Sequence, residues 1–515
     1  MPLDAYLERW RWSALWVTAL GGTAVVIAVE RRWLAIPALS VAGLVAGTFL
    51  FHLAAIRDGI WYGSDAALYL IHARNIVEGQ PYSETGYLVN PTHRHSPATY
   101  PPLFPLMLAP IYAVAGLALH AMKVLVVATT ALATAALYLL ARRALPIGAS
   151  LTVAWLFAFS PFIGWLKDDL ASDIPFLAAV FFCLWAAEKA QSIGTQTDAG
   201  WRRGAVVGLL CYAAVATRTV GIVLLPALLI ADIARVRRLS PYAVGFSVTA
   251  LSLIGLQEAL LGNVRAYSSL TTWGGLEQMA DSVVRNARFL TGILFGDLPP
   301  AVQRVAMTTA TAAASYGVLL LLRRRWYSTV LFITGYTAML LLWPNTSGPR
   351  LLLPHFALGL IFVSVALWPG DGRHHWRKAI AAALVALCVT SYAVRYRGST
   401  LAPLPDSFDR PEHAELVAFV HRETSPNDVF ISIAPRTFAL LTRRTASIYD
   451  RRLSLENQWR YFASIRASYV VARRGSGERD AAYLSRVIRT YREHLKLEFS
   501  NAAYEVYHIV PGIGR

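Results

Sequence analysis

Asp65 is the second residue of the stretch SDAALYLIHARNIVEGQPY (64–82), which follows a long apolar run. Three more carboxylates, Asp168, Asp169 and Asp173, sit in SPFIGWLKDDLASDIPF (160–176), between two other apolar runs. Arg218 interrupts CYAAVATRTVGIVLLPALL, and Arg350 opens the apolar part of WPNTSGPRLLLPHF. A carboxylate held beside a hydroxyl can take its proton. A second acid can orient a substrate, or a pair such as Asp168 and Asp169 can hold a divalent cation (Mg2+, Mn2+ or Ca2+) through oxygen. Guanidinium is planar and always charged, and its fork of donors matches a phosphate. Together these residue types suit proton abstraction beside a bound phosphate.

Each group also has a plain structural use. Ser64 or Asp65 can cap the helix that follows, which is worth about 1 kcal/mol. Ser172 or Asp173, two or three residues before Pro175, is a helix-start signal, and Lys167 can pair with Asp168. Arg350 can snorkel to the interface. Arg218 is harder to dismiss, because a guanidinium in a membrane costs at least ~2.5 kcal/mol without a partner or water. His93, Arg94, His95 and Tyr100, in THRHSPATYPP (92–102), can touch substrate or headgroups, with Arg94 a further phosphate candidate. Trp273 can stack on a sugar or simply anchor at the interface.

The elements that must position these groups are membrane helices. Hydrophobic residues make up 56% of the 515 and charged ones only 15%, which is too apolar for a soluble chain of this length. Apolar stretches approach the roughly 20 residues a crossing needs at 14–29, 33–56, 120–141, 148–164, 174–189, 204–217, 219–234, 242–261, 305–322, 326–343, 351–368 and 378–394. The sequence therefore predicts an α-helical polytopic membrane protein of about 12–13 membrane helices. The apolar run near the N-terminus continues without a small-residue cleavage site, so no removable signal peptide is expected. Cys183, Cys211 and Cys388 fall inside apolar spans as small hydrophobes and imply no disulfide or zinc framework.

Net charge is +17, but the arginines cluster in short loops, which argues for membrane anchoring and against nucleic-acid binding. Arg142 and Arg143, then WRR (201–203), RVRR (235–238), RRR (323–325) and RHHWRK (373–378), mark one cytoplasmic face. The opposite face receives loop 57–119, residues 165–173, the turn at Arg218, 262–304, 344–350 and everything after 395. All four acids and both arginines then share a side. Tyr100–Gly116 reads as a half-depth helix begun by Pro101 and Pro102. Residues 66–77 read as an amphipathic helix lying flat on the bilayer, with His72, Arg74, Asn75 and Glu78 turned away from it.

Composition divides the chain into a membrane domain, 1–395, and a C-terminal extracytoplasmic α/β domain, 396–515. The latter alternates DVFISIA, ASYVVARR and YEVYHIV with helix-like stretches. It has no Gly-rich phosphate fingerprint or metal-spaced Cys/His pattern, so it reads as a lid or acceptor-contacting module.

From about 58 to 370, the ordered segments SDAALYLIHARNIVEGQPY, TYPPLFPLMLAPIYAVAG, YLLARRAL, FSPFIGWLKDDLASDIPFL, TRTVGIVLLP and PRLLLPHFALGL resemble the GT-C superfamily of polyprenyl-phosphate-sugar-dependent glycosyltransferases. The similarity is to the branch holding protein O-mannosyltransferases and the aminoarabinose transferase that acts on lipid A. It implies Asp65 as catalytic acid/base, an assisting acid among Asp168, Asp169 and Asp173, and a polyprenyl-phosphate sugar as donor. The expected acceptor is a glycan, lipid or protein, and the expected location a bacterial inner membrane. Thr99 and Tyr100 stand where the aminoarabinose branch has a lysine before the double proline, which shifts donor-phosphate contact toward Arg94, Arg218 or Arg350. A transporter or flippase of lipid-linked saccharides, or an envelope assembly scaffold, is the alternative; the inverted repeats of a transporter are missing.

Overall fold

The computed structural model describes residues 37–92, 97, 99–195, 199–261, 275–343, 348–368, 375–404, 407, 410–474 and 478–510. Helix α1 (Pro37–Ala54) leads through α2 (Ala66–Glu78), strand β1 (Tyr87–Leu88) and α3 (Leu103–Ala115) into the main bundle. The bundle comprises α4 (Leu119–Ala141), α5 (Ile147–Ala158), α6 (Pro161–Leu166), α7 (Asp173–Ile193), α8 (Gly200–Thr217), α9 (Leu224–Val236) and α10 (Pro241–Leu261). It continues with α11 (Gly275–Phe295), α12 (Pro300–Arg323), α13 (Tyr327–Leu341), α14 (Leu353–Leu367) and α15 (His375–Arg397). Short 3-10 turns, Thr219–Val223 and Pro349–Leu352, precede α9 and α14.

Among the described residues, 7 helices are long and apolar enough to cross a membrane, and four shorter apolar ones accompany them. Every expected span from 33–56 onward coincides with a helix, while 14–29 lies outside the described residues. The span 148–164 breaks at Ser160, whose Oγ accepts from Phe162 N ahead of Pro161 and so starts a new helix. Helix α3, 13 residues long, rises only about 20 Å and cannot cross the roughly 30 Å of hydrocarbon. Helices α8 and α10 meet backbone to backbone: a Cβ on Gly204 would lie 2.0 Å from Tyr242 O, and one on Gly245 2.1 Å from Trp201 O. Small residues let membrane helices approach this closely. Loop 262–304 contains a helix the sequence reading passed over, the amphipathic α11.

The C-terminal region folds as α16 (Pro411–Glu423), β2 (Val429–Ile431), α17 (Pro435–Thr442), β3 (Thr445–Ser447), α18 (Leu455–Ser464), β4 (Ala467–Arg473), α19 (Glu478–Thr490), β5 (Leu495–Ser500) and β6 (Tyr504–Ile509). Its sheet runs β1-β3-β2-β4-β6-β5, parallel through β4 and antiparallel beyond it. Alternation along β2 sends Phe430 to one apolar layer, with Leu416 and Phe438, and Ile431 to the other, with Phe462 and Val487.

The edge strand β1 comes from the loop between α2 and α3. Tyr87 pairs with Ala446 and Leu88 with Ser447, while Asn90 Nδ2 donates to Ile448 O over 2.8 Å. This stitching corrects the expectation for 66–77. Helix α2 is buried from Ala66 to Asn75, polar face included, because the loop after it takes up His72 and Asn75 while α17 covers Arg74. Arg74 Nη1 donates to Leu440 O at 3.1 Å, and Arg443 grips Glu78 through Nη1 and Nη2 at 3.0 and 2.7 Å.

Candidate active site

Asp65 occupies the cap position of α2, but its side chain makes no capping hydrogen bond. Its Oδ1 instead accepts from Tyr100 Oη at 2.8 Å and Arg436 Nη1 at 3.0 Å. Its Oδ2 lies 3.1 Å from Arg350 Nη2. The side chain keeps 28% of its surface exposed, so an incoming hydroxyl can reach it.

Tyr100 is held from behind. Its ring stacks on Tyr69 with centroids 4.6 Å apart, and its backbone N donates to His72 Nε2 at 3.1 Å. Because Nε2 accepts, Nδ1 carries the proton that goes to Tyr82 O, 2.9 Å away. Burial lowers the His72 imidazole to about 4, which keeps it neutral in this role.

The second acidic segment divides. Asp173, at the first turn of α7, receives Arg350 Nε and Nη2 on Oδ2 at 3.1 and 2.7 Å, and Arg218 Nη1 on Oδ1. Its carboxylate is therefore spent on arginine rather than on a cap. Asp169 Oδ2 lies 3.7 Å from Arg350 Nη1, while its Oδ1 is buried without a hydrogen-bond partner. Asp168 turns away: Lys167 Nζ binds its Oδ2 at 2.7 Å and Arg57 N its Oδ1 at 3.0 Å. The proposed partnership of Asp168 with Asp169 is corrected accordingly, since lysine and backbone claim Asp168 on the far side of the turn.

Arg350 is thus the hub, touching Asp65, Asp169 and Asp173 from the turn that opens α14. Three carboxylates face three guanidiniums, which is how buried charge is tolerated. Arg436 was missed in the sequence because it sits in the C-terminal region, where nothing in the local pattern says which arginine turns back toward α2. Arg94, His93, His95 and Trp273 lie outside the described residues.

The electrostatics push two acids apart. Burial alone would raise Asp65, but Arg436 and Arg350 outweigh it and hold the carboxyl well below the usual carboxylate range. Asp169 is pushed up to about 6, chiefly by burial, with Asp65 and Asp173 adding repulsion that Arg350 only partly offsets. Folding therefore favours protonated Asp169. That contribution is complete below the ordinary value of 3.8 and is lost as pH rises through about 6. Asp169→Asn, neutral at every pH, removes it. The stability of the variant relative to wild type should climb by on the order of 3 kcal/mol between about pH 4 and 6.5 and level off above. Melting curves in detergent across that range check this, and a flat difference would mean the carboxyl is not desolvated.

Among the described residues, no group of three or more His, Cys, Asp or Glu side chains could hold a metal ion. The three clustered carboxylates surround a guanidinium, and Asp168 belongs to Lys167, so this donor set does not fit a divalent cation.

A cavity of about 790 Å³ opens on the other side of the 167–168 turn, lined by Arg57, Trp61, Trp165, Lys167, Asp168 and Pro349 among others. Its wall is one residue removed from Asp169 and Arg350.

Residues 99–256 match the sequence model of the family described as dolichyl-phosphate-mannose-protein mannosyltransferase. ArnT from Cupriavidus metallidurans bound to undecaprenyl phosphate is similar in structure, with a TM-score of 0.57 at 13% identity over 92% of this chain and 98% of that one. The chain has the GT-C glycosyltransferase fold. A second protein similar in structure is the Archaeoglobus fulgidus oligosaccharyltransferase in complex with zinc and sulfate, with a TM-score of 0.55 at 12% identity over 84% and 68% of the two chains. The archaeal AglB of that organism, in complex with an inhibitory peptide and a dolichol-phosphate, gives 0.51 at 12% identity over 84% and 69%. No curated protein sequence matches this chain. With 7 helices long and apolar enough to cross a membrane among its described residues, the chain is an integral membrane protein.

Proposed function

We propose that the chain transfers a monosaccharide from a polyprenyl-phosphate donor to an acceptor hydroxyl at the outer edge of a bacterial inner membrane. The observation that carries this reading is Asp65: an accessible carboxylate, fixed by Tyr100 and flanked by two arginines. The acceptor oxygen attacks the anomeric carbon, its proton passes to Asp65, and the bond from that carbon to the phosphate oxygen breaks. One displacement inverts the anomeric centre. The negative charge gathering on the departing polyprenyl phosphate is stabilised by guanidinium, an electrostatic task for Arg350 with Arg218 behind it. Asp169 and Asp173 hold Arg350 in place, and Asp169, with one oxygen unspent, is the assisting acid.

The position of the basic loops supports an extracytoplasmic site. Arg143 bonds to Ser192, Arg235 to Arg325 O and Arg324 to Ala144 O, all at the end of the bundle remote from Asp65. A divalent cation at the acidic cluster would compete with Arg350 for Asp169 and Asp173, so no step runs through one. The acceptor, whether glycan, lipid or protein, meets the site beneath the sheet domain, and the adjoining cavity has room for a bulky amphiphile.

Mass spectrometry of lipid-linked sugars and envelope glycans from a deletion strain tests the proposal. A polyprenyl-phosphate sugar should accumulate while one glycosylated product disappears. Unchanged profiles of both would refute sugar transfer.

A further inference from the structure

Arg436 reaches Asp65 from a different part of the chain than any other residue of the site. It stands in the first turn of α17, and α17 is fastened to the membrane domain without its help. Gly63 N donates to Thr437 Oγ1 at 3.2 Å, Arg74 Nη1 to Leu440 O at 3.1 Å, and Arg443 pairs with Glu78 at 2.7 Å. The Arg436 side chain is 13% exposed, and its bonds to Asp65 Oδ1 and Tyr100 Oη, both 3.0 Å, leave from the single nitrogen Nη1. Arginine meets a carboxylate or phosphate most strongly with two nitrogens at once.

A carboxylate clamped between two guanidiniums is a poor base, because its charge is already neutralised where the proton must arrive. Transfer at Asp65 therefore requires that the clamp open. Charge inside the cluster is balanced, so an arriving phosphate must draw its counter-charge from an existing partner. Asp173 and Asp169 side chains are 3% and 7% exposed, against 28% for Asp65, and so Asp65 is the partner that can be robbed.

We propose that Arg436, delivered by the sheet domain, is a donor-phosphate ligand, and that Arg436 and Arg350 exchange Asp65 for the phosphate when the donor binds. The base is idle until a donor is present, and the sheet domain becomes part of the donor site as well as a cover for the acceptor. This inference rests on the glycosyltransferase reading above.

The test titrates polyprenyl phosphate alone into the full-length protein in detergent, following intrinsic tryptophan fluorescence. Arg436→Ala should weaken binding by about tenfold or more, with Arg436→Lys between it and wild type. Asp65→Asn, which removes the competitor, should tighten binding by about tenfold. Asp65→Asn reads the exchange at Asp65, which frees Arg350 as well. The graded loss from wild type through Arg436→Lys to Arg436→Ala, at unchanged melting temperature, is what a merely structural role for Arg436 would not produce. Arg436→Lys keeps the charge and carries the reading if Arg436→Ala fails to fold. Wild-type affinity in either folded variant overturns the inference alone. A wild-type protein that binds no polyprenyl phosphate overturns the proposed function along with it.

Discussion

Asp65→Asn should lower sugar transfer at saturating donor by about 10² to 10⁴, the range that a positioned general base contributes. Asparagine keeps the shape of the side chain and an oxygen for Tyr100 Oη, so the loop between α2 and α3 stays in place. What it lacks is a lone pair basic enough to accept the acceptor's proton. The expected signature is a fall in turnover with little loss of melting temperature, since Asp65 is the most exposed of the three clustered acids. Coupled with tighter product binding, this separates a missing base from a damaged site. Full turnover in a folded Asp65→Asn protein would dismiss Asp65 as the base.

Arg350→Ala should be the most damaging single change to the site, removing both structure and transfer. Its guanidinium uses Nε and Nη2 on Asp173, Nη2 on Asp65 and faces Asp169 with Nη1. Alanine leaves three carboxylates with two arginines, and breaking a buried ion pair in this way typically costs about 3–5 kcal/mol. Arg350→Lys should recover only a part, because one ammonium cannot span acids on α2, on α7 and in the turn before α7 at once. Adding Asp173→Asn to Arg350→Ala should restore some melting temperature by deleting the charge left stranded, a coupling that a double-mutant cycle reads directly. If Arg350→Ala melts like wild type, the hub is not holding the cluster.

The candidate site was legible in the sequence as far as single residues go against their surroundings. Asp65, Asp173, Arg218 and Arg350 each offend an apolar context, and positive loops put them on one face, so their convergence follows from topology. The same logic could not separate Asp168 from Asp169. Adjacent residues in a turn point in different directions, and only the position of Lys167 Nζ and Arg57 N decides which carboxylate is consumed. Tyr100 entered the reading as a loop residue that could touch substrate or headgroups; the structure turns its hydroxyl onto Asp65 instead, held there by stacking on Tyr69 and the bond from its backbone to His72.

Local pattern also misjudged α2. Its amphipathicity was real, but a polar face is compatible with water or with a polar neighbour, and here α17 and the loop after α2 supply the neighbours.

Hydropathy over windows of about 20 residues was enough to specify a polytopic helical protein, because each helix must satisfy its own backbone in lipid wherever it stands in the bundle. Alternating β-rich and helical runs likewise specified an α/β region after residue 395. What depended on tertiary structure was the joining of these two parts: a two-residue strand from the loop between α2 and α3 entering a sheet whose other strands begin over 300 residues later, and Arg436 brought onto Asp65 as a result. Such contacts are long in sequence and carried by ordinary residues. No periodicity encodes them; the register of one short strand does.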